Sequence, residues 1–201
     1  MLFRSRKVIG PFEAVPYATP LSPEERDGLI PTYVTLRSEL NELEQKNIGQ
    51  ADAWVFLRNR NVLDEGFLKS LHRRMFKDVW RWAGDYRQTE KNLGLLPHFI
   101  QQGVHQIIGD MRVAFQYKAF PPDELAVRLS HRLVSVHPFS NGNGRWSRLV
   151  GDLMIVKQGW KRFTWGSANI QAEGKDRDKY IEALRAADNH DYGPLIKFAR
   201  S

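Results

Sequence analysis

Apolar residues recur at helical rather than strand spacing over most of this chain. Leu68, Leu71, Met75, Phe76 and Val79 recur at roughly helical spacing within 67–80, the period that lays one apolar stripe along a helix. The same reading predicts helices over Ala51–Leu57 and Gln101–Tyr117. Another starts at Pro121-Pro122-Asp123-Glu124 and runs through Leu125, Leu129 and Leu133 towards His137. Arg145 to Gln158 reads as a helix ended by Gly159, followed by helices over Asp176–Ala187 and Pro194–Arg200. Nearer the start, Ser22-Pro23-Glu24-Glu25 carries an N-cap serine and a first-turn proline. From Pro31 a helical pattern begins again, with Val34, Leu36, Leu40, Leu43 and Ile48 apolar among charges.

Two stretches lack the period. Residues 1–22 contain Gly10, Pro11, Pro16 and Pro20 and read as an extended arm. Trp82-Ala83-Gly84-Asp85 breaks a helix, and the segment from Tyr86 to Phe99 is punctuated by Asn92, Gly94 and Pro97. It predicts a short hairpin or flap. The expectation is a mainly α fold: an arm over 1–30, a helical region over 31–54, and a core over 55–201 that is a helical bundle with a short β-hairpin flap.

Composition narrows the class without naming a chemistry. The chain has 201 residues, 42% hydrophobic and 26% charged, ordinary values for a globular protein. It has no cysteine, which excludes a disulfide scaffold or thiolate metal site and fits a reducing cytoplasm. Its first residues have no apolar core suited to a secretory signal, and no later stretch is long enough to span a membrane. The formal net charge is +7, which suits nucleic acid, an acidic partner or a phosphorylated ligand. The basic residues are scattered, however, with pairs such as Arg73-Arg74 and Lys161-Arg162 rather than long blocks. A solvated basic surface accounts for them, and the chain lacks the motifs of a nucleic-acid module.

The run from His137 to Arg148, HPFSNGNGRWSR, carries the chemistry. A histidine titrates near neutral pH and can serve as general base. Gly142 and Gly144 allow a tight turn that brings N–H groups close to a ligand. Arg145 and Arg148, three apart, share a helix face and can clamp two phosphates. A helix starting near Gly144 adds unpaired N–H donors. Taken singly, a helix-terminal histidine, an Asn-Gly turn and a solvated arginine face explain each part. Their joint occurrence between two apolar helices reads as a phosphate site.

HPFxxGNGRxxR is the signature of the Fic (filamentation induced by cyclic AMP) family, which this run resembles. Trp82-Ala83-Gly84-Asp85-Tyr86-Arg87 is similar to the family's segment before its flap. Tyr180 to Ala187, with Asp191-Tyr192 and Pro194-Leu195, is similar to its C-terminal end. The resemblance implies AMP transfer from ATP to a Ser, Thr or Tyr hydroxyl of a target protein. His137 would deprotonate that hydroxyl. Gly142, Asn143, Gly144 and Arg145 would hold the phosphates, Arg148 the γ-phosphate, and Phe139 would anchor the loop in the core. The family usually has Asp or Glu where this chain has Asn141, a residue that coordinates Mg²⁺. Asn141 therefore implies weaker magnesium binding, reduced transfer, a different donor, or a nucleotide-binding regulator without transfer. With this asparagine the chain resembles the bacterial subgroup called mobile mystery protein B.

The family's inhibitory helix carries Ser or Thr, then three residues, then a Glu that pairs with the second arginine of the motif. Thr35 and Glu39 have that spacing, with Ser38 and Glu42 as a second register. The resemblance implies a Glu39–Arg148 pair; an ordinary surface carboxylate is the other reading. Lys91, Asn92, Leu93, Gly94, Leu95 and Leu96 would form the flap that docks an extended target segment by strand addition.

Overall fold

The computed structural model describes residues 10–12, 20–167 and 175–201. Most of the arm predicted over 1–22 lies outside the described residues. Its described part is packed rather than free: Phe12 approaches Trp80, and the Pro11 carbonyl accepts a hydrogen bond from Arg37 at 2.8 Å.

Eight α-helices follow among the described residues: α1 (Pro23–Arg26), α2 (Arg37–Val55), α3 (Glu65–Phe76), α4 (Ile100–Gln116), α5 (Pro122–Val136), α6 (Asn143–Lys157), α7 (Lys175–Asp188) and α8 (Gly193–Arg200). α1 starts as expected: the Ser22 hydroxyl accepts from the Glu25 N–H, and the Glu25 carboxylate accepts from the Ser22 N–H. α2 begins at Arg37, not Pro31, and ends at Val55, so it absorbs most of the stretch predicted separately over Ala51–Leu57. The Glu39 carboxylate sets this start by accepting from the Thr35 and Leu36 N–H groups at 2.9 and 3.0 Å. α3 ends at Phe76 rather than Trp80, because residues 77–85 turn back under it.

α5 and α6 form the centre. They run antiparallel: Gln158, just after α6, donates to the carbonyl of Pro122 at the start of α5. Leu125, Leu129, Leu133, Val150 and Ile155 are buried, and α4 packs on the other side of α5. α2 pairs with α3, and α7 with α8. The Trp146 indole N–H on α6 donates to the Leu68 carbonyl on α3, joining the two halves of the core. No helix among the described residues is long and apolar enough to cross a membrane.

The flap contains no strand; among the described residues the pairing is limited to one isolated bridge, Leu29 with Trp80. Segment 86–96 is a loop leading into a 3₁₀ turn, Pro97–Phe99. Its backbone bonds go across to the motif rather than to itself. Arg87 N–H donates to the Pro138 carbonyl at 2.9 Å and Leu95 N–H to the Val136 carbonyl at 3.1 Å. With these groups committed outward, no hairpin ladder forms.

Candidate active site

α5 must stop before Pro138, whose ring disfavours helical backbone in the residue preceding it. His137 ends the helix in the left-handed conformation, φ 53° and ψ 59°. Glycine usually takes such a position. Here the turn is held by the buried Arg87, whose Nε donates to the His137 carbonyl at 2.7 Å. The other guanidinium nitrogens donate to the carbonyls of Thr89 and Leu95 at 2.7 and 2.5 Å. One side chain thus fixes both the histidine and the flap. A Cβ built on Gly94 would stand 2.5 Å from the His137 Cβ, so only glycine lets the flap lie this close.

His137 is 7% exposed. Burial first, then the charges of Arg87 and Lys91, push its pKa down to about 4, against a hydrogen bond with the Val134 backbone. The imidazole is therefore neutral near pH 7, the form that accepts a proton.

After Phe139 the loop folds on itself. The buried Asn143 amide accepts from the Phe139 N–H at 2.9 Å and donates to the Phe139 carbonyl at 2.7 Å. With its side chain committed, Asn143 offers a ligand only its backbone N–H. Gly142 has φ +79°, and a Cβ there would meet the Phe76 ring at 2.4 Å. α6 starts after Gly142 with no side-chain cap, which leaves its first N–H groups open to an anion. Asn141 turns back: its side-chain oxygen accepts from the Gly142 N–H at 2.5 Å. Phe139 is fully buried, stacked on His72 at 3.6 Å and edge-on to Trp146.

The two arginines differ. Arg148 lies over the Tyr180 ring, 5.1 Å from its centroid. Arg145 is half-buried, over the Phe76 ring, and bonded to Glu44 at 2.8 Å. Glu44 is 4% exposed and also accepts from the Trp80 indole N–H at 2.7 Å. The carboxylate that α2 presents to the motif is thus Glu44 on Arg145. Glu39 caps its own helix start instead of meeting Arg148, and Glu42 is exposed. The reason is helical phase: Leu40, Glu44, Asn47, Ala51 and Val55 are the buried stripe of α2, and Glu39 and Glu42 lie off it. A glutamate in register with an apolar stripe was the sequence signal for Glu44.

A second carboxylate ties the flap from outside. Glu25 on α1 is buried and accepts from Lys91 at 2.5 Å and from the Thr89 hydroxyl at 2.6 Å. Burial would raise its pKa, but these bonds and those from Ser22 and Ser140 hold it below the ordinary carboxylate value. Lys91 also donates to the Pro20 carbonyl. Leu93, Leu95, Leu96 and Phe99 remain exposed at the flap.

Among the described residues no group of three or more His, Asp or Glu side chains stands ready for a metal ion. Near the glycine loop the donor available is the neutral Asn141 oxygen, already engaged by Gly142. Magnesium held by a protein ordinarily takes one or two carboxylates, so these residues do not fit a resident ion.

This geometry coincides with a known domain. Residues 62–155 match the model of the Fic/DOC family. It is 32% identical to the protein adenylyltransferase Fic of Nematostella vectensis over 120 residues, 58% of this chain and 26% of that one. It is also 32% identical to the protein of the same name from Aedes aegypti over 79 residues, 39% and 14% of the two chains. The chain therefore spans about a quarter or less of these curated relatives. The N-terminal Fic domain of a VirB-translocated Bep effector protein from Bartonella quintana, solved with bound ADP, has the same fold. That comparison has a TM-score of 0.64 at 16% identity and covers 88% of this chain and 94% of that one.

Proposed function

We propose that this chain is a protein adenylyltransferase, moving AMP from ATP to a Ser, Thr or Tyr hydroxyl of a target protein. The observation that carries the reading is a neutral, buried histidine on the same closed loop as an uncapped helix N-terminus. His137 takes the proton of the target hydroxyl, whose oxygen attacks the α-phosphate; pyrophosphate leaves. The first N–H groups of α6, including those of Asn143 and Gly144, receive phosphate oxygens, with Gly142 turning the chain into place. Arg145 and Arg148 neutralise the outer phosphates. Positioning and charge carry such a reaction, with little covalent work for the protein. Magnesium arrives as part of the Mg·ATP substrate, and Asn141 gives it at most one neutral oxygen. The exposed leucines of the flap receive the target segment beside His137. The lack of cysteine suits work in a bacterial cytoplasm.

The N-terminal region restrains this activity, with Glu44 rather than Glu39 acting on the motif. Its carboxylate holds Arg145, so ATP must displace it. The second reading, a nucleotide-binding regulator with weak transfer, is favoured by Asn141 turned onto Gly142. Labelled ATP with magnesium separates the two: α-label bound covalently to protein, and lost in His137→Ala, supports transfer. ATP binding without covalent label supports the regulator.

A further inference from the structure

We infer that His72, on α3 and outside the signature motif, is a positioning residue that sets the direction of an N–H donor in the phosphate loop. This rests on the reading of the loop as a phosphate site. His72 is fully buried. Its Nδ1 accepts from the Gly84 N–H at 3.0 Å, and its Nε2 stands 3.0 Å from the Asn141 carbonyl. The Gly84 N–H is always a donor, so Nδ1 is the acceptor nitrogen and Nε2 carries the proton. The tautomer is fixed, and Nε2–H donates to the Asn141 carbonyl.

That bond has a directional consequence. In a trans peptide the carbonyl and the following N–H point in opposite directions. With the Asn141 carbonyl drawn into the core by His72, the Gly142 N–H is turned away from the core. In the structure it meets an oxygen, the Asn141 side chain at 2.5 Å. That oxygen stands where a phosphate oxygen would be received. The Trp82-Ala83-Gly84-Asp85 turn takes part in the same device. Gly84 has φ +87°, and a Cβ there would approach Arg73 at 2.7 Å, so glycine brings its N–H down onto His72. The stack of His72 on Phe139, 3.6 Å apart and tilted by 15°, holds the ring in this plane. Burial lowers the His72 pKa to about 3, which keeps the ring neutral at working pH.

Three substitutions separate the donor from the packing. His72→Phe keeps the ring stack and loses both hydrogen bonds. His72→Gln restores an N–H near the Nε2 position. His72→Asn restores an acceptor for Gly84 but no donor for Asn141. A crystal structure of His72→Phe is expected to show the Asn141–Gly142 peptide rotated, its carbonyl out of the core. An unchanged peptide overturns the inference. For folded protein at saturating ATP, transfer should fall about 10²-fold in the Phe and Asn variants, the usual cost of one misdirected oxyanion donor. The Gln variant should stay within a few-fold of the parent. Losses that follow melting temperature alike in all three would make His72 a packing residue only. If the parent itself transfers no AMP, the proposed function fails. The peptide orientation and the ATP dissociation constants of the three variants then still decide the role of His72.

Discussion

The floor of the site and its cover are held by different forces. Beneath the glycine loop the contacts are neutral and buried: His72 on the Asn141 carbonyl, Asn143 on both backbone groups of Phe139, Phe139 between His72 and Trp146, Phe76 under Gly142. Over the loop, the contacts that come from the N-terminal helices are ionic: Glu44 on Arg145, Glu25 on Lys91. Neutral bonds packed in a core do not respond to an arriving anion. A carboxylate on an arginine does, because a triphosphate competes for the same donors. On the proposed reading, the floor sets the shape of the site and the cover sets access to it.

The largest expected effect tests the floor's reactive group. His137→Ala should lower AMP transfer by about 10²–10⁴-fold while leaving ATP binding within a few-fold, measured by covalent label and by calorimetry. Full transfer without His137 would move the base elsewhere.

Glu44→Gln tests the cover. It keeps an acceptor for Trp80 and removes the charge from Arg145. ATP should bind about tenfold tighter, the worth of one charged contact of about 1.4 kcal/mol, while the melting temperature falls. Adding Arg145→Ala should abolish the gain, since both changes act through one pair. Glu39→Gly, which touches only its own helix start, should leave ATP affinity at the parent's value. Activation by Glu39→Gly but not by Glu44→Gln would reverse this assignment.

Asn141→Asp places a charge where floor and substrate meet. The carboxylate would sit on the Gly142 N–H and repel phosphate unless magnesium bridges them. ATP binding should weaken at low magnesium and strengthen at high magnesium, relative to the parent. Parallel titrations of the two proteins would show that residue 141 does not meet the ion.

The last effect is read in stability against pH, not in ATP binding. His72 and His137 have pKa values lowered from 6.5 to about 3 and about 4. They are neutral in the fold while the unfolded chain takes up protons below pH 6.5. Their contribution is therefore complete above that pH and is lost as pH falls towards 4. Burial raises Asp152 from 3.8 to about 6, which has the opposite slope between those values. Comparing the parent with His72→Phe cancels Asp152. Between pH 6.5 and 4 the variant's unfolding free energy should fall less steeply, by about 1.36 kcal/mol per pH unit. Equal slopes in chemical denaturation would mean His72 titrates alike in both states.

The sequence determined the helical bundle, because apolar residues three and four apart have no other way to share a face. It also determined the glycine loop, whose histidine, glycines and arginines lie within twelve consecutive residues. Local rules sufficed there: Pro138 ends one helix and Gly142 begins the next. Three things were decided by tertiary structure. Glu44 rather than Glu39 reaches the motif, a choice made by which stripe of α2 faces the core. The flap forms no strands, since Arg87 and the motif carbonyls claim its backbone groups. His72 and Glu25 join the site from 69 residues and 66 residues away on Asn141 and Lys91. Neither spacing nor period carries a contact across such separations; only packing, which selects partners by burial and hydrogen-bond completion, can make it.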